Sequence, residues 1–171
     1  MFKSMTSEDL LKNENYKIDE VFFRTMLKDK IIEKYEIKKI KVSDLKRRWF
    51  DNKIYELTEV APYKYLQGDK DAYTAYCQYH SDKLDGKKVT LCFDRFDKLI
   101  KDMDEKGYNP KHIIICDYDN IIIDGQHRSC YLLYKYGPDY EIDVLRLKIR
   151  LPYIVMFRKL VYKLFGFLRR P

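Results

Sequence analysis

Glycine is scarce in this chain, with six among 171 residues. That scarcity excludes a flexible low-complexity polymer, and a mix of 46% hydrophobic and 36% charged residues does not describe a disordered one. Cysteine is limited to Cys77, Cys92, Cys116 and Cys130. There is no CxxC, which argues against a metal cluster. Cys92, Cys116 and Cys130 lie in apolar segments and are expected to be buried thiols of a reducing cytosol. A secretory leader is not visible, since Met1-Phe2-Lys3-Ser4 runs straight into an acidic amphipathic stretch.

Acidic residues are missing from 151–171, which carries Arg158, Lys159, Lys163, Arg169 and Arg170. The whole chain has 34 basic and 27 acidic residues, or +7; without those five the balance is 29 against 27, or +2. The rest of the chain is therefore nearly neutral, which weighs against a nucleic-acid-binding face. At about 100° per residue the five basic side chains share an arc of roughly 140°. The opposite face is apolar, with Ile154, Met156, Phe157, Leu160, Val161, Leu164, Phe165, Phe167 and Leu168. Basic residues interrupt the segment too often for a spanning helix. A helix over 153–170 lying in the surface of an anionic membrane is expected instead, so the protein is expected to be cytoplasmic, held peripherally at the inner face of the cell membrane.

What the chain does have is a sharp junction at Asn120-Ile121-Ile122-Ile123-Asp124-Gly125-Gln126-His127-Arg128. An apolar run of strand length ends at Asp-Gly, and a helical pattern follows until Gly137-Pro138 stops it. A strand, a tight turn and a helix N-terminus together aim free backbone N–H groups at one point, which suits phosphate. His127 and Arg128 add donors for phosphate oxygens. Asp124 could hold a metal, orient the His or act as a base.

This segment resembles the signature of the ParB/sulfiredoxin superfold, in which a short strand leads into G-E-R-R, G-G-C-H-R or D-G-H-H-R and then a helix. The resemblance covers about 93–149 and the opening strand at 37–45. It implies a mixed α/β (α+β) domain, a small mixed sheet with flanking helices, with a nucleotide's phosphates held at Gly125, Gln126, His127 and Arg128. ATP or ADP is the first expectation for the nucleotide, with Mg²⁺, and Asp124 and His127 are the candidate catalytic residues. Sulfiredoxin's catalytic Cys falls on Gln126, so its thiol chemistry should be absent. The first Arg of the ParB motif is His127 here and the second is kept as Arg128. The framing is closest to the free-serine kinase branch.

The expected organisation is an N-terminal helical extension over 1–35, the domain itself over 36–150, and the tail helix over 151–171. Val21, Phe22, Met26, Leu27, Ile31 and Ile32 recur at helical spacing in the extension. Lys46-Arg47-Arg48-Trp49 could stack on a base and contact phosphate, or be a solvated surface with an anchored aromatic. The tyrosine-rich insert at 56–80 is read as a substrate-side lid, with Glu59, Asp69 or Asp71 as a possible base, or equally as a packed helical insert. Residues 81–88 read as a polar turn, 93–106 as a helix, and 112–116 with 121–123 as a hairpin around Asp117-Tyr118-Asp119-Asn120.

Three functions compete. The first is a nucleotide-dependent phosphotransferase acting on a small metabolite near the membrane, in surface-polysaccharide or lipid-precursor metabolism. The second is a ParB-like DNA-associated nucleotide switch or nuclease, and the third a non-catalytic nucleotide-binding module. The first is preferred, because the neutral domain and the membrane-like tail do not suit DNA.

Overall fold

The computed structural model describes residues 5–6, 17–18, 27, 30–49, 52–83 and 89–150. The tail helix expected over 153–170, and most of the expected N-terminal helix, lie outside the described residues.

A mixed sheet forms the centre. Strand β2 (Ile31–Lys41) pairs antiparallel with β7 (Glu141–Arg150) from Ile31 opposite Arg150 to Lys41 opposite Glu141. The two-residue β1 (Met5–Thr6) lies on the outer side of β2. Beyond β7, β5 (Ile114–Cys116) runs parallel to it, and β6 (Ile122–Asp124) closes the sheet antiparallel to β5. The order is β1-β2-β7-β5-β6. A hairpin of β3 (Lys46–Arg48) and β4 (Ile54–Glu56) hangs on the β6 edge, where the Lys46 N–H donates to the Asn120 carbonyl at 3.0 Å. The helices among the described residues are α1 (Ala61–Leu66), α2 (Lys70–Lys83), α3 (Val89–Lys106) and α4 (Gln126–Tyr136).

Strand alternation divides the core into two layers, because successive side chains point to opposite faces. Ile142 and Val144 of β7 pack with Ile114, Cys116 and Ile122, against Cys130, Leu132 and Leu133 of α4. Leu145 and Leu147 turn the other way, to Ile32, Ile113, Ile115 and Leu27. Each such side chain, fully buried, contributes roughly 1.5–3 kcal/mol. Leu27 and the half-buried Ile18 pack on this second layer. A third cluster joins α2 to α3 through Tyr73, Cys77 and Phe96.

Three expectations need correction. Helical spacing assigned Ile31 and Ile32 to the N-terminal helix, but β2 begins there, since the β-branched pair finds Arg150 and Ile149 as strand partners. The same strand ends at Lys41, and Val42–Asp44 forms a 3-10 turn where continued strand was expected. Helix α2 runs through Lys83, into the expected polar turn.

Cys92 is not a free thiol. It is bonded to Cys77, with the Cα atoms 5.9 Å apart, while Cys116 and Cys130 are free and buried. Apolar spacing placed Cys77 and Cys92 on helices but could not show that the two faces meet. A cross-link closing a loop of this length stabilises by about 3 kcal/mol, chiefly by restricting the unfolded chain. Urea denaturation with and without a reductant should show a loss of about that size, and equal midpoints would mean that the bond contributes nothing.

Candidate anion-binding cleft

The junction at Gly125 folds as the sequence indicates. Strand β6 ends at Asp124, Gly125 takes a left-handed conformation (φ 98°, ψ 18°) as N-cap, and α4 begins at Gln126. A side chain at Gly125 would put its Cβ 2.9 Å from Ile114 Cγ1 and 3.2 Å from Arg128 Nη2. Only glycine combines that backbone with that proximity. No side chain caps the first turn of α4, so the N–H groups of Gln126, His127 and Arg128 have no partner within the helix.

These residues line a cleft of about 1130 Å³, a volume slightly above that of ordinary ligand sites. Its floor is the turn, and its opposite wall is built from α2 and α3 through Tyr73, Tyr76, His80 and Phe96. Lys17, Arg47, Arg95, Lys106 and Arg128 bring positive charge, against Asp102 and Asp124. Lys106 is paired with Asp102 at 2.9 Å, and Arg128 with Asp124 at 3.0 Å. The surplus favours an anionic ligand.

The predicted site residues come together, but with differing tasks. Arg128 holds the turn itself: Nη2 donates to Asp124 Oδ2 and Nη1 to the His112 carbonyl. His112 therefore serves through its backbone and lies in a bend ahead of β5, rather than inside the strand expected over 112–116. Gln126 is only 7% exposed, yet among the described residues its amide nitrogen has no hydrogen-bond partner. His127 Nε2 lies 2.9 Å from the Tyr73 hydroxyl, with its ring edge-on to Phe96. Burial, with His80, Arg47 and Arg128 adding in the same direction, lowers its pKa to about 4. His127 is thus a neutral imidazole at pH 7, not an extra positive charge. Burial likewise pushes the Tyr76 hydroxyl up to about 12, against the pull of Arg47, and raises that of Tyr73.

The acids expected on the lid do not reach the cleft. Glu59 Oε2 accepts the Glu56 N–H at 2.8 Å in a capping box, and Asp69 Oδ1 accepts the Ala72 N–H at 2.9 Å at the start of α2. Asp71 is exposed in the first turn of α2. The insert instead supplies the aromatic wall. Tyr73, Tyr76, Cys77 and His80 fall at one-turn intervals, so their common helix face could have been read from spacing. Arg47 is the other residue that sequence reading undervalued. Strand alternation turns it away from Lys46 and Arg48, into the cleft, where Nη1 donates to the Ile122 carbonyl at 3.0 Å and Nε is buried without a partner among the described residues.

No family model and no solved structure matches this chain. A 52-residue stretch is 38% identical to a glycerol-3-phosphate dehydrogenase [NAD(P)+] of Treponema denticola, covering 29% of this chain and 15% of that protein. The chain thus spans only a small part of the curated relative it matches.

Two outcomes follow from the geometry. Gly125→Ala should cost about 2 kcal/mol or more, from the left-handed backbone and the contact with Ile114; chemical denaturation showing no loss would mean that the turn relaxes freely. The second concerns pH. The folded state keeps His127 unprotonated down to about 4, whereas the unfolded chain takes up a proton near 6.5. Stability is therefore fully present above 6.5 and is lost as pH falls towards 4. Between pH 7.5 and 4.5 the native chain should lose more stability than His127→Gln, and equal losses would show that His127 is not the group responsible.

Proposed function

We propose that the Gly125 turn binds the phosphates of a nucleoside di- or triphosphate, and that the chain is a ParB/sulfiredoxin-like phosphotransferase acting on a small metabolite. One observation carries the phosphate reading. Two buried donor nitrogens without partners, Arg47 Nε and Gln126 Nε2, line the same cleft as an uncapped helix N-terminus. A buried donor left unsatisfied costs about 1–3 kcal/mol, and a phosphate at the turn offers oxygens to all of these groups at once.

Support for a nucleotide comes from the cleft's volume and its aromatic wall, where Tyr76 and His80 offer ring surface for a base. Mg²⁺ fits as a companion of the phosphates. It keeps most of its waters and asks the protein for one or two carboxylates, and Asp124 is the carboxylate at the turn. Among the described residues no group of three His, Cys, Asp or Glu converges as a metal site of its own. Catalysis then rests on positioning and charge neutralisation. Arg47 and the first turn of α4 hold the phosphates. With Asp124 held by Arg128 and offered to the ion, the neutral His127, braced by Tyr73, is the group that would accept the acceptor's proton.

The membrane reading rests on the sequence of 151–171 alone. Among the described residues no helix is long and apolar enough to cross a membrane. A peripheral contact through the tail would bring the cleft near lipid-linked or surface-polymer precursors.

The test is a thermal-shift series with ATP, ADP, CTP and GTP, each with and without Mg²⁺. A ligand that binds only the folded state adds about 2.7 kcal/mol at a hundredfold excess over its dissociation constant. A Mg²⁺-dependent shift with ATP or ADP is expected. Arg47→Ala should weaken that binding by about tenfold to a hundredfold, as loss of a charged hydrogen bond implies, without unfolding the chain. A shift with CTP alone would favour the ParB-like switch, and no shift with any nucleotide would reject the reading.

A further inference from the structure

Both members of the Cys77–Cys92 bond line the cleft. Cys77 is 1% exposed, whereas Cys92 is half-buried on the cleft lining and is the more open member of the pair. The bond joins α2 to α3, the two helices of the aromatic wall. Tyr73 stands one turn before Cys77, so a movement of Cys77 is felt at Tyr73. The Tyr73 hydroxyl lies 3.5 Å from the Cys92 carbonyl, 3.7 Å from Cys92 Sγ and 2.9 Å from His127 Nε2. One hydroxyl thus connects the cysteine pair to the first turn of α4.

We propose that Cys77–Cys92 is a reversible redox site, opened by a small thiol entering the cleft, whose state sets how Tyr73 holds His127 beside the Gly125 turn. The effect on a ligand rests on the phosphate reading above; the redox site itself does not. A thiolate attacks Cys92 Sγ, forming a mixed disulfide as the Cys77–Cys92 bond breaks, and the electron pair leaves on Cys77, which takes a proton from water. A second thiolate attacks the small-molecule sulfur of the mixed disulfide and releases Cys92, which is protonated in turn. Two electrons pass from two thiols to the cysteine pair, and the thiols leave as their own disulfide. The positive surplus of the cleft, with Arg47 and Arg95 on its lining, draws the attacking thiolate. After opening, Tyr73 and Phe96 still pack α2 on α3, so the wall persists while α2 loses its covalent tie to α3.

The experiment uses the full chain in glutathione buffers of graded ratio. Cys77 and Cys92 are scored by maleimide trapping and mass spectrometry, and the His127 imidazole signals are followed by NMR. The bond should open within the glutathione range, and the His127 signals should shift as it does. Cys92→Ser, at a half-buried position, should reproduce the spectrum of the open form. A pair that stays bonded in the most reducing buffer is a structural staple, and overturns the proposal. A pair that never bonds, or that opens without moving the His127 signals, overturns it equally. Calorimetry with inorganic pyrophosphate in each state reads the ligand effect, and a change in affinity of about fivefold or more is expected. Pyrophosphate binding in neither state, with the redox and NMR results intact, would reject the phosphate reading and leave the redox site standing.

Discussion

The close approach at Gly125 is the constraint on which the cleft depends. With no Cβ there, Ile114 and the Arg128 guanidinium close directly on the turn. Arg128 can then reach back to Asp124 at the end of β6 and across to the His112 carbonyl ahead of β5. One side chain thereby fixes where β5 begins, where β6 ends and in which direction α4 leaves the sheet. The orientation of the first-turn N–H groups follows from that clamp, not from α4 alone. The residue that looks like a ligand contact in the sequence is first of all what makes the contact surface.

Desolvation decides the rest of the site's character. The aromatic side chains of α2 and α3 cover His127 and keep it neutral, so the cleft's positive charge comes from arginine and lysine, which do not lose their protons at neutral pH. A neutral imidazole can accept a proton or pass one on, which a permanent cation cannot. The division of labour is consistent: fixed charge at the rim and floor, and a titratable group against the covered wall.

Local signals were legible wherever the chain makes its own decision. Gly125 and Gly137 bracket α4 as the sequence indicates, and the branched run before Asp124 forms a strand, buried at Ile122 and half-buried at Ile123. The expected mixed α/β sheet is present. What spacing could not reveal is what depends on neighbours distant in the chain. Ile31 and Ile32 satisfy a helical pattern but become strand because Arg150 and Ile149 lie alongside. Arg47 reads as one of three surface cations until the β3–β4 hairpin sets it over β6. Cys77 and Cys92 sit on separate helices, and only the packing of Tyr73 on Phe96 brings them together. Glu59 and Asp69 misled because a capping carboxylate and a catalytic one have the same side chain, and differ only in what they face.

A lone unpartnered nitrogen is weak evidence for a ligand, and this fold supplies its own control. Arg146 also has a buried Nε without a partner among the described residues. Its Nη2, however, donates to the Tyr118 carbonyl and Asn120 Oδ1, and its Nη1 to Glu36 Oε1. That guanidinium is spent on holding the β5–β6 loop against β2, and its remaining N–H is a tolerable remainder. Among the described residues Arg47 donates to the Ile122 carbonyl, and it shares its cleft with the unsatisfied Gln126 amide and an uncapped helix start. Three kinds of donor left open in one place cost more than a fold needs to bear for packing alone. An acceptor-rich anion removes that cost in one binding event, whereas apolar side chains at positions 47 and 126 would remove it permanently. The donors at both places are the physical support for the proposal that the cleft takes a ligand.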